Sequence, residues 1–400
     1  MNRFKAAILD GYASDKILAG PSATVGSRAA AAALKADPRY AELRRRLAET
    51  EFFRPAPWAY AARIAVLLAL AAASYAALIH AGPGAGHLGL RLAGFAVAGF
   101  TMVQCSFLAH EAAHGAISRK PRVIEAIGQL FTTFWVGYAF AYFRRSHDLH
   151  HYHVNERAVD PDTQSNLFSV NEHSARTKRG LGRWITRHQT IMIPVMSPLW
   201  AVGMKWDGLT YLWRNRRACW LDCAVIAMHT VLWLVIPGLV LGWGAALANY
   251  FGWTAVAGVY LKIIIPVNHV ATTTLGPEQA PAIDFLAQQT ATSRNITGPA
   301  IFDHLFDRLF DHLFIGLNLQ IEHHLFPFVP STRLRAGRAI VRAFCREHGL
   351  AYLEQGYAGA LADVYRHFGQ VARFADPEVT RPEPAARAVA PSAPAVSPRT

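Results

Sequence analysis

The stretch LGLRLAGFAVAGFTMVQCSFLA, Leu88 to Ala109, carries one charged residue, Arg91, and runs without a break into HEAAH at 110–114. A bilayer core is about 30 Å thick and takes about 20 apolar residues in a helix. This stretch is therefore a membrane span that delivers two histidines to one side. Three further stretches read the same way, from about Ile64 to Ala81, Trp220 to Trp243 and Ala245 to Val267. Short links near Gly82–His87 and near Gly244 join the four into two hairpins. Backbone polar groups in lipid must be satisfied within the segment, so the spans are helices, and an internal Pro237 is tolerable there.

The composition agrees. Of 400 residues 52% are hydrophobic and only 17% charged, against about 25% charged in a soluble protein. That excludes disorder over most of the length, and the blocks of apolar residues exclude a string of soluble domains. The 4 cysteines, Cys105, Cys219, Cys223 and Cys345, are scattered, which supports neither a disulfide scaffold nor a thiolate metal site. The net charge of +13 does not point to nucleic acid, because the basic residues flank the apolar blocks. They lie before the first span (Arg44, Arg45, Arg46), between the second and third, and after the fourth, with none in the link between the third and fourth. By the positive-inside rule both termini and the central segment are cytoplasmic.

The expected fold is an all-α membrane protein of four transmembrane helices in two hairpins, with interfacial helices and a cytoplasmic helical cap. It divides into a cytoplasmic segment over residues 1–54, a membrane domain over 55–370 and a disordered Pro-, Ala- and Ser-rich tail over 371–400. Ala36 to Glu51 reads as a polar helix. Asp10, Asp15 and Lys16 interrupt any signal-peptide core at the N-terminus. Val123–Phe143 reads as an interfacial or re-entrant helix pair, and Met192–Met204 as a further interfacial segment.

The chain has 18 histidines. His80, His87, His173, His188, His229, His348 and His367 are isolated and need no special explanation. Three groups are different: His110 with His114, His147 with His150 and His151, and His323 with His324. Spacing i, i+3 or i+4 puts imidazoles on one helical face, where they can share a metal. All three groups fall on the cytoplasmic side, outside the helices, which leaves a metal site as their explanation. His269 follows the fourth span at the same depth and is the eighth candidate.

The stretches HEAAH at 110–114, HDLHHYHVN at 147–155 with Asp160-Pro-Asp162 after it, and GLNLQIEHHLFP at 316–327 resemble the histidine boxes of the membrane fatty acid desaturases. The third, with Gln320 leading it, is similar to the front-end desaturases, which insert a double bond between an existing one and the carboxyl end. The resemblance covers about residues 58–345. It implies a di-iron centre with His110, His114, His147, His150, His151, His323 and His324 as ligands. His269, in Val-Asn-His-Val, matches an extra histidine of the family. Gln320 stands where other members place a ligand. Acyl-CoA members carry an asparagine four residues before the extra histidine; here that place is Ile265, and Asn268 is adjacent instead.

Removing two hydrogens from an unactivated alkyl chain is beyond any side-chain acid or base. It calls for an oxygen-activating metal, iron by habit of the family, with O2 as co-substrate. Carboxylates should orient the rings and offset the charge; the candidates are Glu111, Asp148, Asp160, Asp162, Asp311 and Glu322. Asp303, Asp307 and Asp311 recur beside Phe302, Phe306 and Phe310 on an amphipathic helix that also carries His304 and His312, and whose polar face lines the site or meets water. Arg144, Arg145 and Lys262 lie near the expected mouth and can take a substrate head group, although Lys262 also reads as a lysine snorkelling to the surface. The substrate is a fatty acyl chain on CoA, acyl carrier protein or a lipid. No iron–sulfur cysteine cluster, dinucleotide fingerprint or haem segment is present, so electrons come from an external ferredoxin or cytochrome b5 type donor with its reductase, for which a basic face is suited. The composition faintly favours a bacterial plasma membrane.

Three other readings stand beside this one. His110-Glu111-x-x-His114 fits a zinc hydrolase with Glu111 as general base, but leaves the other boxes unexplained. A transporter would put its ionisable groups near the bilayer midplane. A hydroxylase, acetylenase or ketolase would use the same ligands.

Overall fold

The computed structural model describes residues 37–82, 85–157, 159–165, 167–298 and 310–376. The extreme N-terminus, the 299–309 stretch with His304, and the tail beyond 376 lie outside them.

Helix α1 covers Pro38–Ala48, with the Asp37 side chain accepting from the Arg39 N–H as its cap. The first two spans are α2 Pro57–Ala81 and α3 Leu88–Ala113. After them come α4 Pro121–Gly128, a π-helical turn Gln129–Phe134 and α5 Phe140–His153. Short helices α6 Glu172–Thr177, α7 Gly180–Arg187 and α8 Gln189–Met196 lead to α9 Trp200–Asn215. The third span is α10 Trp220–Thr230, a π-helical turn Val231–Val235 and α11 Ile236–Leu241; the fourth is α12 Trp243–Ile264 with α13 Pro266–His269. The cap closes with α14 Phe285–Ala291, β1 Arg294–Thr297, α15 Gln320–Leu325, α16 Ser331–Glu347, β2 Leu353–Gly356 and α17 Tyr357–Arg373. The parallel pairing of β1 with β2, Arg294 opposite Leu353 and Thr297 opposite Gly356, is a small departure from the all-helical expectation.

Four helices, Pro57–Ala81, Leu88–Ala113, Trp220–Leu241 and Trp243–His269, are long and apolar enough to cross a membrane. The second is 56% buried over its apolar window and the third 17%. So α3 is the central helix, packed against α2 and α12, and the third span faces outward.

The histidine boxes do not lie wholly outside the helices, contrary to expectation. His110 is inside α3, His114 is that helix's C-cap, and His269 ends α13. The reason is length. The 26 residues of α3 rise about 39 Å at 1.5 Å each, more than a hydrocarbon core of about 30 Å. The last turns stand clear of the apolar layer without the helix having to end.

The re-entrant expectation over Val123–Phe143 corresponds to α4, its π turn and a reversal at Gly137, whose φ is +75°. A Cβ on Gly137 would fall 2.4 Å from His229 Nε2. His229, a lone histidine by sequence, is buried there, bonded to the Phe134 carbonyl and to the Tyr250 hydroxyl, which also accepts from Lys205 Nζ. The Met192–Met204 segment resolves into α8 and α9. Helix α9 buries Ala201, Lys205, Gly208 and Leu212 along one stripe and exposes Trp206, Leu209 and Trp213 along another.

The described part of residues 1–54 packs directly onto the membrane domain. Leu43, Leu47 and Phe52 share a fully buried cluster with Phe326, Leu334 and Phe344, which ties α1 to the third box. At the other end α17 runs to Arg373, past the expected start of the tail, and Ala375 is still buried.

Helix α12 closely touches the 3-10 turn Ser197–Leu199 between α8 and α9: a Cβ on Gly258 would lie 2.4 Å from the Ser197 carbonyl oxygen, a backbone atom that cannot rotate away. Gly258→Val is expected to destabilise the protein by about 1–3 kcal/mol through overpacking, read as a lower unfolding midpoint in detergent. An unchanged midpoint would contradict the contact.

Candidate metal centre

The eight histidines named from the sequence come together in two groups. His110, His114, His147, His151 and His323 form one; His150, His269 and His324 form the other. Within each, the ring nitrogens lie within 4.8 Å of one another. The groups adjoin, with the His151 and His324 rings stacked at 4.3 Å.

Helix geometry explains the sharing. Residues i and i+4 lie on one face, whereas i and i+1 diverge. His110 and His114 therefore both enter the five-membered group, as do His147 and His151. His150 is turned from His151, and His324 from His323, so each neighbouring pair straddles the two groups. The expected convergence of the whole second box on one point is replaced by this division.

In the five-membered group His147 Nε2 lies 2.9 Å from His114 Nε2 and 3.0 Å from His151 Nε2. A neutral imidazole carries one N–H and one bare nitrogen, so three facing nitrogens leave lone pairs opposed. Both nitrogens of His110, Nδ1 of His151 and Nε2 of His323 are buried without a protein partner. Burying unpaired polar atoms is costly, and a cation among them removes that cost. In the three-membered group each Nδ1 points outward to an acceptor: His150 to Asp160 Oδ1 at 3.0 Å, His269 to the Thr292 carbonyl at 2.9 Å, His324 to Gln289 Oε1 at 2.8 Å. In the neutral ring each proton is thereby held on Nδ1 and Nε2 is left bare toward the group, the arrangement by which histidine is oriented for a metal. Gln320 Nε2 lies 2.8 Å from His269 Nε2, where this smaller group has room for a fourth donor. The donor set fits transition metals that favour imidazole, such as iron and zinc.

The carboxylates divide as well. Asp160, fully buried, takes His150, the Asn155 N–H and the Asp162 N–H. Asp162 reaches within 3.5 Å of the same ring nitrogen. The others face away from the histidines. Glu111 accepts from Tyr60, Arg63 and both the N–H and hydroxyl of Ser331, so it joins α2 and α3 to α16. Glu322 accepts from Asn295 and Tyr352. Asp311 pairs with Arg335 and accepts from Asn318. Burial pushes the Asp148 carboxyl up to about 6 against the pull of Arg144. His312, on the described end of its helix, is exposed. Asn268 is buried with its Oδ1 unpartnered.

The cations named as head-group candidates are engaged elsewhere. Arg144 pairs with Glu125 at 3.6 Å and lies over the Phe140 ring. Arg145 lies beside Tyr211. Lys262 Nζ sits 3.1 Å from the centre of the Trp200 ring, half-buried instead of snorkelling free.

Sequence reading missed the stretch 288–295. Gln289, Thr292 and Asn295 supply acceptors or donors to the histidines and to the third box, yet QQTATSRN looks like a surface loop. The one hint is the apolar Phe285-Leu286-Ala287 just before it.

Burial, and after it the neighbouring imidazoles, hold His114, His147, His151, His323 and His324 well below the usual histidine value of 6.5. For a histidine whose folded pKa is depressed, the unfolded chain takes up protons first. That stabilisation is present above about pH 6.5 and lost as the pH falls below it. His150 behaves oppositely: burial opposes its charge, but Asp160 and Asp162 raise it to about 9, so its contribution is full in acid and fades as pH rises through that value. Five groups outweigh one. The metal-free protein is expected to lose unfolding temperature between about pH 7 and pH 5, and a flat profile would contradict buried neutral imidazoles.

A family model described as fatty acid desaturase matches residues 86–356, more than half of the chain. A Delta 8-(E)-sphingolipid desaturase of Kluyveromyces lactis is 25% identical over 308 residues, covering 69% of this chain and 50% of the relative. An acyl-lipid 8-desaturase of Rebecca salina is 28% identical over 280 residues, covering 67% and 60%. A Delta(6)-fatty-acid desaturase of Caenorhabditis elegans is 25% identical over 271 residues, covering 64% and 58%. The chain spans about half the length of the sphingolipid desaturase it matches. These relatives are eukaryotic, and nothing in them bears on a bacterial source.

Proposed function

The chain belongs to the fatty acid desaturase family, and from that premise we propose that it is a membrane di-iron desaturase that uses O2 to introduce a C=C bond into an acyl chain, in the manner of the front-end enzymes. The observation that carries this reading is the division of eight imidazoles, seven from the boxes and that of His269, into two adjoining groups with converging nitrogens. A single-metal hydrolase has no use for the second group. Its general base is also missing, because Glu111 is occupied by Tyr60, Arg63 and Ser331.

His110, His114, His147, His151 and His323 would hold one iron, and His150, His269 and His324, with Gln320 beside them, the other. Iron there supplies the oxidising power that an unactivated C–H bond demands. The chain's own residues hold the site ready. Asp160 fixes the His150 ring and offsets its charge, and Asp162 does so from the open side. Phe143, stacked on His147 at 5.1 Å, helps to keep water from that ring. The apolar substrate reaches the centre between the spans, from the membrane side.

The names of the relatives favour a lipid-linked or fatty acyl substrate. Electrons come from an external carrier. The basic flanks favour a cytoplasmic side for both termini and the boxes.

His323→Ala and His324→Ala are each expected to abolish product, by at least about 100-fold, while the protein still inserts in membranes, since its spans are untouched. Mass spectrometry of lipids from cells expressing the chain reads this directly. Products lighter by two hydrogens support desaturation. Products that retain oxygen would assign a sister reaction such as hydroxylation, and turnover surviving either substitution would remove that residue from the centre.

A further inference from the structure

Residues 288–295, Gln-Gln-Thr-Ala-Thr-Ser-Arg-Asn, are polar at seven of eight positions, and those seven are all buried. Gln289, Thr290, Thr292 and Ser293 expose nothing, and Arg294 is 1% exposed. A stretch this polar is normally found in water, because each buried group must find a partner. Here several of the partners belong to the histidine boxes and to the backbone that carries them.

Gln289 lies between two boxes. Its Nε2 donates to the His151 carbonyl at 2.9 Å, which fixes the amide so that Oε1 faces His324 Nδ1 at 2.8 Å. A carbonyl cannot donate, so the amide cannot turn over, and His324 must carry its proton on Nδ1. Three residues on, the Thr292 carbonyl imposes the same tautomer on His269. Arg294 then anchors that histidine's helix. Its Nε donates to the Val267 carbonyl at 2.8 Å and Nη2 to the Val270 carbonyl at 2.9 Å, on either side of His269. Its Nη1 reaches Gln355 on β2 at 2.9 Å. Asn295 completes the series by accepting from the Ile321 N–H of the third box.

We infer that the buried stretch 288–295 is the element that aims two of the three histidines of the smaller group, His269 and His324, with Gln289 and Arg294 as its positioning residues. This rests on the two-metal reading above. Among the contacts described, the five histidines themselves meet the stretch only through the His151 carbonyl, and Asn295 holds the helix that carries His323, so damage at Gln289 or Arg294 should be selective. A general weakening of the fold would not be.

The test is iron per chain in the full-length, detergent-purified protein from iron-supplemented cells, with the unfolding midpoint measured alongside. Wild type is expected to hold about two irons. Gln289→Met, close in shape but without acceptor or donor, should hold about one, reflecting a 10- to 100-fold weaker site at the affected group. Gln289→Glu keeps an acceptor for His324 and should hold about two. Arg294→Met should also fall to about one, and Arg294→Lys, which offers a single donor nitrogen in place of three, should lie between. Gln289→Met retaining both irons with an unaltered iron spectrum would overturn the inference. So would loss of both irons together with the unfolding midpoint, since that is a structural failure. If Gln289→Met does not accumulate, the milder Gln289→Asn, one methylene too short to span both partners, is read in the same way. Wild type without iron would overturn the two-metal reading itself, an outcome visible before any variant is made.

Discussion

Eight imidazoles converge in one buried place, and the rest of the cap exists to make that tolerable. Uncharged, they present bare nitrogens to one another; protonated, they would repel in a region of low dielectric. Among the described contacts of the two groups, only the ring of His150 meets carboxylates, those of Asp160 and Asp162. The arrangement therefore stores a demand for positive charge that sits between the rings.

That demand is met asymmetrically. The five-histidine group has ring nitrogens with no protein partner, and its rings are carried by α3, α5 and α15. In the three-histidine group every ring is held from behind, by Asp160, the Thr292 carbonyl or Gln289. The helices also differ in reach. His110 rides on a continuous helix of 26 residues, whereas His269 depends on a four-residue turn after Ile265 that Arg294 must clamp. A short helix has few hydrogen bonds of its own, and the clamp supplies what the helix cannot.

Much of this was legible in the residues. Leu88–Ala109 announces a span because its apolar run exceeds what a soluble helix needs, and the three remaining spans do the same. Seven of the eight histidines were legible because i, i+3 and i+4 spacings are rare in repetition, and His269 because it follows the fourth span at the same depth. What local spacing could not show is that His150 parts from His151 and His323 from His324, although the divergence of adjacent side chains holds for any helix; which ring meets which depends on how α5 and α15 cross. The carboxylates were harder. Glu111 lies between two of the histidines in sequence, yet its side chain points to α2 and α16, and Asp311 pairs with Arg335 across the cap. A charge has no periodicity that tells which neighbour it will find.

The sequence by itself determined that the chain has four stretches long and apolar enough to cross a membrane, and which imidazoles are available, because apolar length and helical spacing are local properties. Only the tertiary structure decided how the imidazoles divide and what holds them. Residues 288–295 show why. Their polarity reads as solvent exposure, and only the packing of β1 between α13, α15 and β2 turns those groups inward to partners some twenty to sixty residues distant.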